Sequence, residues 1–433
     1  MNFPDLHNHL YGSISADTLY EIGKRNPNPR WNLFTDLHKK IYGKEIRTES
    51  FFRDYKDIED FRNLYFFNKP APFIEFQSKF NLIIALSKFD EEEIRYVAKE
   101  IVSAHAKQGI NFAEYRIMYP PSATKEVYFS KTIAAIDGIY QGEISVNKAI
   151  QARLVVSLHR DGDYFQQYQW LKELMNQNEL VKNYLVGVDF CYIEEGFPPR
   201  EKKEFFKKIL EDNQEYPETA LSILYHVGES FSDKTPKSAV RWVGESAIWG
   251  AHRLGHCISL GINPESFANK IIQEKVSERI DQIEFEIKYY EKLKSLGATT
   301  DYSKLQKELE LLKQKNSEDK ISFSIDKRYI DEIYTMQEFT MFLIKEESNS
   351  TIECCPTSNL LIGMLSEIKN HPIRRFQNNN LRITISSDDP GIFDTNIKKE
   401  YELAATAGLS LDELEEIKKL SSTYTSEKLS GRK

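Results

Sequence analysis

Seven side chains in four separated segments have the types and spacing of one reactive centre: His7 and His9 in DLHNHL, His226 and Glu229 in YHVGES, His256 in RLGHC, and adjacent Asp388 and Asp389 in SSDDPGIF. Residues i and i+2 of a strand share a face, so His7 and His9 can both point at one ion. Zinc takes neutral imidazole nitrogen and carboxylate oxygen, and its catalytic sites keep one position open for water. His7, His9, His226 and Asp388 are therefore the expected ligands. The ion would bring the pKa of a bound water near neutrality. Glu229, three residues past His226 and beyond the strand end, is expected to hold a proton and act as general acid. His256 is expected to hydrogen-bond and orient the attacking water. Asp389 cannot share Asp388's direction if the strand continues, so it should face the substrate. Each signal has an ordinary reading too: an HxH pair arises by chance, Asp-Asp-Pro opens turns, and a lone histidine is usually a satisfied buried one.

These residues need elements to gather them. LSILYHVGES, AHRLGHC, TIECCPTSN and LRITISSDDP are short apolar runs ending in polar clusters, separated by helical stretches. That alternation predicts an α/β fold, a TIM (β/α)8 barrel, whose chemistry sits at the C-terminal strand ends. A barrel takes about 250 residues, so a chain of 433 with 40% hydrophobic content must also carry insertions.

In these segments and their order the chain resembles the adenosine deaminase family, including relatives acting on adenine or adenine nucleotides. DLHNHLYGSIS is similar to the family's opening HxH strand, YHVGES to HAGE, RLGHC to RIGHG, ECCPTSN to CPTSN and SSDDPGIF to TDDP; FAEYRIMYPP and EYELAATAGLSLDEL agree further. The resemblance implies that His7, His9, His226 and Asp388 bind Zn2+. It also implies that Glu229 protonates purine N1, that His256 and Asp388 activate the water attacking C6, and that Asp389 holds N7. The implied reaction is hydrolytic deamination of an adenine-type purine nucleoside or nucleotide to the 6-oxopurine plus ammonia.

GVDFCYIEEG resembles the family's GxDLxGxE strand, but Tyr192 stands at its second glycine. Such a side chain is expected to bind or crowd the substrate. A phosphate would need basic groups at the mouth, and Arg116, Arg160 and His159 are the candidates; their ordinary reading is pairing with barrel carboxylates such as Glu114.

Net charge is −8, so nucleic acid is not expected as a partner, and the PCxxC signature of polynucleotide deaminases is absent. Four cysteines, Cys191, Cys257, Cys354 and Cys355, read as buried reduced thiols. A first strand beginning near Met1 and the lack of a long apolar run point to a cytoplasmic protein without a membrane span.

Residues 1–265 and 321–433 are assigned to the barrel and 266–320 to an insertion. Val276, Ile280, Ile283, Ile287 and Tyr290 recur at coiled-coil spacing, and Tyr302, Leu305, Leu309 and Leu312 repeat it after a break containing Gly297, with Asp301 as a cap. The pattern predicts an antiparallel helical hairpin projecting from the barrel, its first helix roughly 40 Å long, able to bind a partner or a second copy of the chain. Segment 327–346 reads as an ordinary barrel helix. Residues 25–70 read as a lid, with Phe61, Tyr65, Phe66 and Phe67 packing it to the barrel or shielding the substrate. Two further readings are a zinc barrel hydrolase acting on another ring or amide, and a deaminase-like subunit of a multi-protein, possibly defence, assembly.

Overall fold

Runs such as Leu154-Val155-Val156 and Ser222–Val227 are buried along their whole length, the pattern of strands covered on both faces in a parallel sheet. The computed structural model describes residues 2–433. Its strands are β1 Phe3–His9, β2 Ile110–Met118, β3 Gln151–Ser157, β4 Leu185–Asp189, β5 Ser222–Val227, β6 Arg253–His256, β7 Ile271–Lys275, β8 Lys320–Ser324, β9 Thr351–Cys354 and β10 Arg382–Ile385. Eight are parallel neighbours in the order β1-β2-β3-β4-β5-β6-β9-β10. A parallel bridge between Asn8 and Asp388 brings the last strand end back to the first. There Asp388 N–H donates to the His7 carbonyl and His9 N–H to the Asp388 carbonyl, each at 2.9 Å. The result is a nearly closed TIM barrel, as the alternation predicted.

Below the C-terminal mouth the interior is ionic rather than aliphatic. Arg253 donates to Glu114 at 2.6 Å and lies 2.7 Å from Glu353; Arg116 donates to Glu353 at 2.6 Å. All four side chains are fully buried. Charges in such a place persist only when paired, because desolvation costs several kcal/mol per ion.

The insertion differs from its expected shape. Its helices are Val276–Lys288, Tyr290–Ser295 and Tyr302–Leu312, so the first arm is broken at Tyr289 and falls short of the expected length. Asp301 caps the third helix through Ser303 N–H. Val276, Ile283, Leu305 and Leu312 form a buried seam with Ile280, Ile287, Tyr290 and Leu309 beside it. β7 and β8 pair as an antiparallel ribbon that sequence did not reveal, closing the base of the hairpin. The hairpin does not project. Its first helix lies on the barrel helix Pro236–Ile248, with Glu278, Arg279, Asp281, Gln282 and Glu286 buried, and Phe285 and Leu293 joining the main core.

The helix Lys327–Leu343 buries Ile330, Ile333, Met336, Phe339 and Leu343 as expected. In the proposed lid, Phe61, Tyr65 and Phe67 are buried in the core and Phe66 packs against it, so these rings pack rather than shield. No helix among the described residues is long and apolar enough to cross a membrane.

Candidate active site

The two-residue period of β1 directs His7 and His9 to one side. His7 Nδ1 donates to Glu353 Oε2 at 2.8 Å, and His226 Nδ1 donates to Asp189 Oδ1 at 3.0 Å. Burial alone would raise both carboxyls. Arg116 and Arg253 outweigh it for Glu353, and His226 and Arg116 for Asp189, so both are held well below the usual range. With ionised acceptors behind them, His7 and His226 carry their hydrogens on Nδ1 and expose bare Nε2 atoms.

Those lone pairs converge. His9 Nε2 and His226 Nε2 are 3.3 Å apart, and Asp388 Oδ1 is 3.3 Å from His9 Nε2 and 3.5 Å from His7 Nε2. His7 Nε2 is buried without a hydrogen-bond partner. Burial pushes His9 down to about 3 and lowers His226, which keeps both neutral. Three imidazole nitrogens crowded around one carboxylate oxygen suit a cation, and three nitrogens with one oxygen are a zinc-type donor set.

Asp388 and Asp389 diverge for a reason other than strand alternation. β10 ends at Ile385, and Asp388 takes a left-handed backbone, φ +63°, so the pair does not follow strand alternation, and an Asp389 oxygen stays within 4.8 Å of a His9 ring nitrogen. Asp389 lines the adjoining cavity, 4% exposed, with Oδ1 unpartnered. Burial, reinforced by Asp388 and Glu229, lifts its carboxyl well above the ordinary range. Glu229 is lifted in the same way, by burial and then by Asp388 and Glu194. Glu194 also builds the loop that carries Glu229, accepting from Gly228 N–H at 3.0 Å and Glu229 N–H at 3.2 Å. His256 ends β6 in a left-handed conformation, φ +65°, with Nδ1 3.6 Å from Glu229 Oε1 and Nε2 4.0 Å from Asp388 Oδ2.

The cavity between these groups measures about 140 Å³ and is walled by Phe73, Phe76, Phe80, Ile84, Met118 and Ile362. Its aromatic wall is the helix Phe73–Leu86, just beyond the segment read as a lid. Tyr192 keeps φ +72° and is 54% exposed, so it stands at the rim and leaves the floor clear. The expected phosphate ligands are elsewhere: Arg116 pairs with Glu353, Arg160 donates to the carbonyls of Phe190 and His226 at 2.9 and 2.6 Å, and His159 Nε2 lies 2.6 Å from the Tyr119 carbonyl. Among the described residues no lysine or arginine lines the cavity. Glu114, named as a pairing partner for these cations, binds Arg253 instead. All four cysteines are buried and free.

Glu353, Asp189, Glu194 and the Phe73–Leu86 helix were not singled out from sequence. A signal existed for two of the carboxylates: Asp189 and Glu353 are charges in the last residues of otherwise uncharged strands, where an unpaired carboxylate would be costly.

The sequence pattern of the adenosine deaminase family matches residues 4–277 and 333–427, leaving out most of the insertion. An adenine deaminase of Rhizobium rhizogenes is 46% identical over 66 residues, 15% of this chain and only 20% of the relative. The N6-methyl-AMP deaminase of Arabidopsis thaliana superposes with TM-score 0.56 at 19% identity, over 98% of this chain and 92% of that one. An amidohydrolase of Burkholderia ambifaria, solved with bound Zn, superposes with TM-score 0.53 at 16% identity, over 96% and 84%. The two structural likenesses speak to the fold, and the match across most of the chain speaks to descent: this chain belongs to the adenosine deaminase family.

Proposed function

We propose that this chain hydrolyses the 6-amino group of an uncharged adenine-type purine, releasing ammonia and the 6-oxopurine, and that the free base or nucleoside is preferred over the nucleotide. The observation carrying the reading is that two buried carboxyls with raised pKa values, Glu229 and Asp389, share one small, largely apolar cavity with His9, His226 and Asp388 of the histidine cluster. Held by that cluster, a zinc ion would supply an acidified water at neutral pH.

The protein's own groups do the rest. Glu229 gives its proton to purine N1, which withdraws electrons from C6; Asp388 and His256, close beside it, hold the attacking water at C6. As water's oxygen bonds to C6, one of its protons passes to the Asp388 carboxylate and on to the amino group; the C6–N bond breaks, ammonia leaves, and the remaining hydroxyl proton returns to Glu229 as the 6-oxo group forms. Protonated Asp389 donates a hydrogen bond to N7. Phe73, Phe76 and Phe80 exclude bulk water, which strengthens each of these interactions.

The preference for an uncharged purine rests on lining and size. A phosphate normally meets arginine, lysine or a helix N-terminus, and the cavity has neither of the two cations. Its volume is below the roughly 300–1,000 Å³ of pockets that take larger ligands. The adenine deaminase likeness agrees with this, and the bound Zn of the Burkholderia structure agrees with the metal. Tyr192, which suggested a different ring as substrate, stands at the rim.

Ammonia release and product chromatography on zinc-loaded protein test the proposal, with adenine, adenosine, deoxyadenosine, AMP and N6-methyl-AMP compared at equal concentration. Conversion of adenine or a nucleoside well ahead of AMP is expected. AMP as the best substrate would overturn the size and charge argument, and no conversion of any amine would overturn the deaminase reading.

A further inference from the structure

Two backbone amides determine where the hydrogen sits on His256. Cys355 N–H donates to Asn359 Oδ1 at 3.2 Å. A backbone amide only donates, so that side-chain atom is the carbonyl oxygen and the other is the NH2 group. Asn359 Nδ2 lies 2.9 Å from His256 Nδ1. An amide nitrogen has hydrogens to give and no lone pair to accept with, so His256 Nδ1 must be the bare nitrogen.

The far side of Asn359 is fixed in the same way. Ile373 N–H donates to His371 Nδ1 at 3.0 Å, which leaves Nε2 as the protonated nitrogen, and that nitrogen donates to Asn359 Oδ1 at 3.0 Å. His256, Asn359 and His371 are 1%, 0% and 3% exposed, so no solvent competes. Asn359 therefore has both ends committed and cannot flip without breaking three hydrogen bonds.

We propose that Asn359, braced by His371, is a positioning residue that fixes His256 as the Nε2–H tautomer, so that the ring offers a donor to the reacting water and cannot serve as a metal ligand through Nε2. The histidines of the site are sorted by what stands behind them. Carboxylates behind His7 and His226 leave Nε2 bare and ligating; an amide NH2 behind His256 puts the hydrogen on Nε2. Only the link to the reacting water rests on the deaminase reading; the tautomer itself does not.

The test uses the zinc-loaded full chain labelled with 15N-histidine, the His256 signals being assigned by their loss in His256→Gln. NMR is expected to show the hydrogen on His256 Nε2; a hydrogen on Nδ1 would overturn the inference whether or not the protein deaminates anything. In Asn359→Asp, a near-isosteric change, the new carboxylate oxygen accepts from Nδ1 and draws the hydrogen there. Its kcat is expected to fall by roughly a hundredfold or more, the scale of losing a positioned proton-handling group, with KM and zinc content little changed. A moved hydrogen with full kcat would overturn the positioning role. If that variant does not fold, the wild-type spectrum and the His371 pair still decide: His371→Gln keeps a donor to Asn359 Oδ1 and should retain most activity, whereas His371→Leu leaves that oxygen with Cys355 N–H but without its second donor and should lower kcat and broaden the Nε2–H signal. Equal behaviour of the pair would remove His371 from the inference.

Discussion

Gly12 and Asp389 contend for one volume: a β-carbon on Gly12 would overlap the Asp389 carboxylate at Oδ1. Gly12 lies in the turn Tyr11–Ser13 that follows β1, so the first strand's exit shapes the seat of a carboxyl from the last. Gly12→Ala is expected to displace Asp389 while leaving the histidine cluster in place. Because misplacement on the order of 1 Å can cost on the order of a hundredfold, kcat/KM should fall by that scale with zinc content unchanged. Steady-state kinetics with metal analysis check it, and wild-type activity would show that Asp389's position does not matter to the reaction.

Glu229→Gln isolates the proton from the shape. The amide keeps the volume and can still donate a hydrogen bond, but it cannot transfer its proton to N1. Turnover should drop by about a hundredfold or more with metal retained and melting close to wild type. Full activity would remove Glu229 as the proton donor.

Asp388→Ala removes an oxygen that lies within 3.5 Å of both His7 and His9. Zinc content and rate should fall together, and a chelator should strip the variant faster than wild type. Adding back Zn2+ should restore chelated wild-type protein. Stoichiometric metal in the variant would show that Asp388 is not a ligand.

Parts of this site were legible because local rules placed them. An HxH pair on a strand needs only the two-residue period to converge, and a glutamate just past a strand end is already near the barrel mouth. Asp388's position beside His7 and His9 goes with features the sequence hides, a left-handed backbone and a bridge to Asn8 of β1. Glu353 and Asp189 sit inside TIEC and GVD, where a charge looks like a flaw in an apolar run until its arginine and histidine partners arrive from other strands. In the insertion the heptad seam was visible, whereas Glu278, Asp281 and Gln282 read as a solvated face although they are buried against Arg241 and Arg200. β7 and β8 are five residues each and far apart in sequence, so neither announces its partner.

His105 offers a pH test away from the metal cluster. It is buried against Tyr115, Nδ1 to hydroxyl 2.9 Å, and burial pushes it down to about 4. An unfolded histidine titrates near 6.5, so between those values the unfolded chain binds the extra proton and folding stability rises with pH. The stability is fully present above about 6.5 and is lost as pH falls toward 4. At about 1.4 kcal/mol per unit, the loss reaches about 3 kcal/mol. His105→Gln should therefore lose less stability than wild type between pH 6.5 and 4.5, measured as the difference in melting temperature across that range. Parallel curves would show that His105 does not titrate there.

The hairpin is attached by charge. Arg241 donates to Glu245 at 2.8 Å, to Gln282 Oε1 at 3.3 Å and to Glu278; Trp242 Nε1 also donates to Glu278 at 2.8 Å. Lys237 bridges Glu286 at 2.9 Å and Glu332 at 3.0 Å. Removing one member of a buried pair strands the other, which costs about 3–5 kcal/mol, whereas replacing both by neutral groups of similar size is often close to neutral. Arg241→Met should thus lower the melting temperature sharply, and adding Glu278→Gln should recover part of the loss, because the amide can still accept from Trp242 while Glu245 stays without its arginine. The contacts lie on the outside of the barrel helix Pro236–Ile248, away from the cavity, so kcat at low temperature should hold in both variants. A double variant no more stable than the single one would mean that the face is held by its apolar members, Phe285 and Leu293, and that the ionic layer only fills the space between them.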